Sequence, residues 1–382
     1  MGSKQHAYFF IKALSQQFNV YCVFFLPPHA TPITYNENDL RNLNIKDYDF
    51  CFFDNSSNTN KYIRLIYKIK SFPSYFMNQA TNSRGLKTID SYIDKYAIDI
   101  VHFEHFWFTK YMFHINPNPK KVIVYHDLHH SIYKQQMKFD EKIFKKLLSF
   151  LECLKFYLFE HLLEKRVALK IFLNPVELQY LPKKAVHIPH IVNPDIVFHA
   201  VKESHLYNIL FLGTYNHPPN RLSFKFILDT ILPKLVKIKH KFIIHIIGPG
   251  TEKFCGILQN SPHRDHVTIH GFKKDINKAF DGMDIALFPI LYGGGIKTKI
   301  IDSLAAGIPV VTTPEGVIGL NNLPENCIGI GKTPDELIEE MIILMNNFSL
   351  RFKRSQRGRD YIEREHTFKV FSKKVMETYL NI

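Results

Sequence analysis

Short apolar runs alternate with helical patterns along almost the whole chain. The runs cover residues 20–25, 48–53, 98–103, 121–125, 171–173, 186–188, 209–212, 242–247, 267–269, 285–288 and 309–312. They are rich in Val, Ile and Phe and bounded by Gly, Pro, Asn or Asp. A strand buried on both faces of a parallel sheet has no polar face, so it reads as a continuous apolar run. Between the runs, stretches 222–239, 299–306 and 334–347 predict helices, as do the long basic segment 133–170 and the tail 350–382. This alternation predicts an α/β doubly wound fold. The chain opens on Gly2-Ser3, then an amphipathic helical pattern, then an apolar run. A doubly wound domain begins with a strand, so the first strand is expected to be missing, with Gly2 and Ser3 as the tail of a Gly-rich turn.

The strands fall into two sets separated by residues 189–207, a segment with Pro189, Pro194 and a polar stretch around 202–205 that reads as a linker. Two Rossmann-like domains facing a central cleft are expected. Their bounds are 1–195 for the first and 196–360 for the second, with 361–382 as a closing helix packing back toward the first. Open α/β sheets bind ligands at the carboxyl ends of their strands.

Composition narrows the class. Of 382 residues, 46% are apolar and 22% charged, which is globular rather than disordered. No apolar run approaches the roughly 20 residues of a membrane-spanning helix. The densest candidate, 150–163, is interrupted by Glu152, Lys155, Glu160 and His161. Five cysteines lie far apart with no Cys-x-x-Cys, which argues against a disulfide scaffold or structural zinc. With Lys4, Gln5 and His6 where a leader's apolar stretch would begin, a cytoplasmic location is expected. The net charge of +14 suits anionic partners. Nucleic acid is not expected among them, because no reader motif with interleaved aromatics is present.

The chemistry concentrates in 288–313. Gly293-Gly294-Gly295 follows an apolar run and precedes a helical pattern that begins around Lys297, Thr298 and Lys299. Glycine permits positive φ and close backbone approach. A helix N-terminus offers free N–H groups and a positive dipole end. Two lysines there repel that dipole unless an anion shares the space. Asp302, about one turn on, can accept hydrogen bonds from sugar hydroxyls.

With Ser303-Leu304-Ala305-Ala306-Gly307 and Pro309-Val310, this segment resembles the donor-site signature of GT-B glycosyltransferases of the retaining family 4, or group 1, type. Segments 209–220, 242–250, 267–272, 279–289 and 364–379 agree with the family order. The resemblance implies sugar transfer from a nucleotide diphosphate sugar to a saccharide or lipid-linked acceptor, with retention, in glycan or glycolipid biosynthesis. It implies no cofactor and no metal. The implied donor-binding residues are Gly213, Thr214, Gly293, Gly294, Gly295, Ile296, Lys297, Thr298, Lys299 and Asp302, with Gly2 and Ser3 in an acceptor-side loop. His126, at the end of the run 121–125, matches the family position facing the donor sugar. His126, Lys297 and Asp302 are the implied catalytic set.

The chain also departs from the family pattern. The family's Glu-x7-Glu acids fall on Gly294 and Asp302: the first acid is absent, as in the family's Gly-Gly-Gly branch, and the second is shortened to Asp. Thr214 stands where an Arg is common, and the nearest base is Arg221. An inactive partner subunit and a nucleotide-sugar epimerase on the same fold are the alternatives. His129 and His130 stay unassigned, and His102 and Glu104 read as sheet residues. Asp47-Tyr48-Asp49 reads as a strand cap rather than a metal-binding pair. The helix in 133–170 carries nine Lys/Arg against five acids. Core packing is one reading of its Leu and Phe. The other is attachment to an anionic membrane on the inner face of the cell membrane, as lysine-rich helices of this domain serve in membrane-active relatives.

Overall fold

The computed structural model describes residues 2–26, 42–52, 69–140 and 142–382. The chain divides into two compact units, Met1–Pro189 with Phe371–Ile382, and His190–Val370.

The first unit opens with helix α1 (Gly2–Leu14), followed by β1 (Tyr21–Leu26) and β2 (Asp47–Phe52). Gly2 and Ser3 therefore start a helix and do not form the expected loop. Next come α2 (Ser83–Tyr96), β3 (Ile100–Phe103), β4 (Lys120–Tyr125), α3 (His129–Phe139), α4 (Ile143–Leu163), β5 (Leu169–Phe172) and β6 (Ala185–His187). Among the described residues β1 and β2 form a parallel pair, and β3 to β6 form a separate parallel sheet in sequence order. The final residue of the run 48–53 lies outside the described residues. Asp47 and Asp49 sit within β2, each accepting from the next backbone N–H, and Asp47 also pairs with Tyr96. They are strand residues rather than a cap.

The single helix expected over 133–170 is two helices packed side by side. The chain turns at Asp140, whose carboxylate accepts from Ser149 Oγ at 2.8 Å. Helix α4 is inverted in polarity. Ser149, Glu152 and Glu160 face inward, with Glu160 fully buried beside His130. Phe144, Leu147, Phe150, Leu154, Tyr157, Leu158 and Leu162 are exposed, and Ile143 is 86% exposed. Phe156, Phe159 and Leu163 carry the core contact, so packing uses only a narrow stripe of the helix.

The second unit holds β7 (Leu206–Leu212), α5 (Pro218–Phe226), β8 (Lys241–Ile247), β9 (Val267–Gly271), β10 (Ile285–Phe288), α6 (Thr298–Ala305), β11 (Val310–Thr312), β12 (Gly329–Ile330), α7 (Pro334–Asn346) and α8 (Phe348–Glu365). The six strands are all parallel, in the order β12-β11-β10-β7-β8-β9. Strands β7, β8 and β10 are mostly Ile, Leu and Phe, and their buried side chains form the centre of the core. The expected helix over 222–239 is interrupted by a π-helical stretch at Ile227–Ile231 ahead of Pro233. Proline has no N–H to give to the preceding turn, so a wider turn is accommodated there.

The last helix, α9 (Phe368–Leu380), belongs from Phe371 onward to the first unit. Phe371 packs edge-on against His6 and Phe10 of α1, and Tyr379 hydrogen-bonds to His102 of β3.

Candidate functional site

The strand order of the second unit locates its site. The chain goes one way from β7 to β8 and the other way to β10, so β7 and β10 flank the point where the order reverses. The loops leaving their carboxyl ends lie side by side there, which is the ligand-binding position of an open α/β sheet. One loop begins at Gly213 and leads into α5; the other carries Gly293-Gly294-Gly295 and leads into α6.

One close contact and two positive φ angles explain why glycine is needed. At Gly213 a Cβ would stand 2.7 Å from Asn220 Cγ. At Gly293 and Gly295 the backbone has φ of 141° and 62°, which side chains rarely tolerate.

Asn220, which is 6% exposed, bridges the two loops. Its Nδ2 donates to Thr214 O at 3.0 Å, and its Oδ1 accepts from Lys299 Nζ at 2.7 Å. Sequence reasoning did not single it out. Its role depends on β7 and β10 being neighbours, and the only local signal is a polar residue following Pro218-Pro219.

The two lysines behave differently. Lys297 is 8% exposed, and its Nζ donates to Gly293 O at 3.0 Å, Gly294 O at 3.2 Å and Gly295 O at 2.9 Å. An ammonium has three donors, and all three serve the glycine loop. The side chain expected at a diphosphate is therefore turned onto its own backbone, because a buried amine must find acceptors.

Among the described residues Lys299 has one hydrogen-bond acceptor, Asn220, and its Nζ lies 5.2 and 5.4 Å from the ring centroids of Phe211 and Phe288. Desolvation, with the charge of Lys297 adding to it, pushes its pKa down to about 7. No carboxylate among the described residues forms an ion pair with it.

Asp302 is half-buried on α6. Burial raises its pKa to about 7 against the backbone N–H of Asn193, which favours the ionised form. Thr214 Oγ1 donates to Pro249 O at 3.2 Å, and Arg221 Nη1 donates to Tyr215 O at 2.9 Å, so this base is held by its own loop. Ile296 packs on the core, and Thr298 is the first residue of α6. The structure thus gathers Gly213, Thr214, Gly293, Gly294, Gly295, Ile296, Lys297, Thr298 and Lys299 in one unit, with Asp302 a turn further along α6.

His126 lies in the first unit, just beyond β4. Its Nε2 donates to Glu104 O at 3.1 Å and Glu104 Oε1 at 3.0 Å. His6 Nδ1 donates to the same Oε1 at 3.0 Å, and His102 Nε2 donates to Oε2 at 3.0 Å. Glu104 is therefore the hub of a histidine cluster rather than an ordinary sheet residue. Burial works against its ionisation, yet the hydrogen bonds from His102, His126 and His6 outweigh burial and hold it well below the usual carboxylate range.

The neighbouring histidines have structural surroundings. His129 stacks on Phe106 at 4.6 Å, and burial lowers its pKa to about 3. His130 pairs with Glu160.

Residues 207–347 match the family model described as glycosyl transferases group 1. No curated protein sequence matches the chain. Sucrose-phosphate synthase from Thermosynechococcus elongatus is similar in structure, with a TM-score of 0.69 at 13% identity, covering 100% of this chain and 93% of that one. WaaG, a glycosyltransferase involved in lipopolysaccharide biosynthesis, gives a TM-score of 0.63 at 13% identity, covering 99% and 96%. HepE from Anabaena, in complex with UDP and glucose, gives 0.65 at 10% identity, covering 100% and 96%. The fold is the GT-B fold of two Rossmann-like units.

Proposed function

We propose that this chain, which carries a group 1 glycosyl transferase domain over residues 207–347, moves a sugar from a nucleotide diphosphate donor to a saccharide or lipid-linked acceptor. The observation that carries the reading is Lys299. A desolvated ammonium beside a glycine loop and a helix N-terminus, with no carboxylate pairing with it among the described residues, is a charge awaiting an anion.

A bound diphosphate supplies that anion. As the donor's glycosidic bond breaks, negative charge builds on the departing phosphate. Lys299 and the N–H groups at the start of α6 stabilise it, and the charge of Lys297 adds to theirs. Asp302 is proposed to bind hydroxyls of the nucleotide's ribose. His126 is proposed to position the donor sugar. The leaving phosphate oxygen takes the acceptor's proton, and the sugar is transferred with retention. Neither a metal nor a cofactor is assigned a part.

The test is a thermal-shift screen against UDP, GDP, dTDP, ADP and CMP without added metal. Ligand binding to the native state raises the melting temperature by linkage. HepE was crystallised with UDP, which makes UDP the first expectation. A shift with none of the five would overturn the donor site. A clear shift without turnover on any acceptor would favour the inactive-subunit alternative.

The acceptor is proposed to lie at an anionic membrane surface on the cytoplasmic side, in glycan or glycolipid synthesis. The support is α4, which exposes its apolar side chains, turns Glu152 and Glu160 inward, and exposes Lys145 and Lys146. A second copy of the chain would bring like charges together there, whereas anionic lipid would not. Flotation with anionic vesicles, lost in Phe150→Asp and absent with neutral vesicles, is the expected result. Wild-type protein left in solution by both vesicles would end this reading.

A further inference from the structure

The first unit contains a carboxylate that the donor-site reading does not use. Glu104 stands between histidines from different elements: His6 from α1, His102 from β3, and His126 at the end of β4. Behind it, Tyr379 of α9 hydrogen-bonds to His102 Nδ1. Both carboxylate oxygens are occupied. We propose that Glu104 is a positioning residue, which fixes the His126 ring with its Nε2 proton turned inward and sets a carboxylate against it that favours its cationic form.

The tautomer follows from the partners. Both acceptors facing Nε2 are oxygens that carry no proton, the carbonyl and the carboxylate of Glu104, so Nε2 must bear the hydrogen. Nδ1 is then the ring's other polar atom. The His105 ring stacks on His126 at 4.7 Å and an angle of 18°, which restrains rotation of the ring.

The charge follows from competition for one carboxylate. Burial lowers His6, and Glu104 offsets only part of that. Burial, followed by the charge of His126, lowers His105 to about 4. At His126 burial opposes the charge as well, but the hydrogen bond and the negative charge of Glu104 outweigh it, with Asp127 assisting, and its pKa rises. His129, on the far side, is lowered to about 3 by burial and so adds no competing charge. Among His6, His105, His126 and His129 the surroundings therefore favour the cation at His126, and in that form a second N–H is available to a sugar hydroxyl or a phosphate oxygen.

The inference rests on the proposed role of His126 only for its effect on turnover. His6, Glu104 and His126 are also the one group among the described residues whose donor atoms lie within 4.8 Å of one another, as a metal ion would need, so the test must separate the two cases.

The experiment is long-range proton–nitrogen NMR on the full chain labelled at histidine, with His126 assigned by its loss in His126→Asn. In the wild type the expected result is a proton on Nε2 and a titration midpoint above the ordinary 6.5. In Glu104→Gln the midpoint falls below 6.5, while in His6→Gln it stays above, because the carboxylate is kept. A neutral ring, read above the midpoint, with its proton on Nδ1, or a wild-type midpoint below 6.5, overturns the proposal even where a variant fails to fold. So does one equivalent of zinc retained by the purified protein. The alkaline limb of kcat against pH should move to lower pH in Glu104→Gln. If the NMR midpoint moves and that limb does not, the role of His126 in turnover fails while the positioning by Glu104 stands.

Discussion

Each unit buries a charge at the carboxyl end of its sheet, and the two are compensated in opposite ways. Around Glu104 the chain supplies its own partners, hydrogen bonds from three imidazoles on separate elements, with the cation favoured at His126. Around Lys299 it supplies a neutral amide oxygen and two aromatic rings. A carboxylate that accepts on both oxygens from its own chain is committed to orienting its neighbours. An ammonium lowered to a pKa of about 7 is held in an environment that costs folding free energy until an anion arrives. The contrast separates a positioning cluster from a binding site without reference to sequence motifs.

The most severe test of that contrast is Lys299→Ala. Loss of a preorganised charge on the leaving group should reduce turnover by about 10²–10³-fold and abolish the nucleotide-dependent rise in melting temperature. The ligand-free protein should melt no lower than the wild type, because an uncompensated charge has been removed. Turnover near the wild-type rate would refute the assignment.

Asn220→Asp sharpens the comparison by making the lysine site resemble the glutamate one. A carboxylate 2.7 Å from Lys299 Nζ supplies the missing counter-charge. Diphosphate affinity, read by calorimetry, should fall by about tenfold or more, while the ligand-free protein becomes more stable. Unchanged affinity would mean that Lys299 does not set it.

A third effect is on pH dependence. Diphosphate binding should take up a proton at Lys299 above pH 7, so affinity should weaken about tenfold per pH unit there and stay flat below. Calorimetry in two buffers of different ionisation enthalpy reads the uptake directly. In the ligand-free protein the linkage runs both ways. Asp302 has its folded pKa raised from 3.8 to about 7, so stability falls as pH rises through that window. Lys299 has its folded pKa lowered from 10.5 to about 7, so stability recovers between those values. A stability minimum near neutrality, shallower in Asp302→Asn, is expected from denaturant midpoints. The smallest effect should come from Thr214→Val, which removes a single hydrogen bond to Pro249 and should cost about 0.5–1.5 kcal/mol with little change in binding.

Much of the fold was legible because buried parallel strands leave continuous apolar runs. Each of the eleven runs overlaps a strand, and among the described residues the one strand with no matching run, β12, has two residues, Gly329 and Ile330, too short to show a pattern. The long helix over 133–170 was misjudged because composition carried no signal of the turn at Asp140, whose partner Ser149 comes from the following helix. The glycine loop and its lysines were visible as a local motif. The direction of Lys297 was not, since the three carbonyls it serves compete with a ligand only once the loop has its shape. Asn220 and Glu104 were missed for a common reason: each has a decisive partner far along the chain, Lys299 for Asn220 and His6 and His126 for Glu104, which only the fold brings close. Alternation along β3 marked Glu104 as a sheet residue, although β3 ends one residue before it.

The clamp that Lys297 places on Gly293, Gly294 and Gly295 has a kinetic consequence. Three glycines in a row have more backbone freedom to lose than any other tripeptide. Here one side chain closes them into a small ring, so that freedom is already gone in the native state. An incoming phosphate meets a loop that has no disorder left to surrender. Association should then be governed by diffusion and long-range attraction, with a rate constant that falls as salt rises and with no slow ordering phase in stopped-flow traces. Cutting the clamp with Lys297→Met should restore such a phase even where the final affinity changes little.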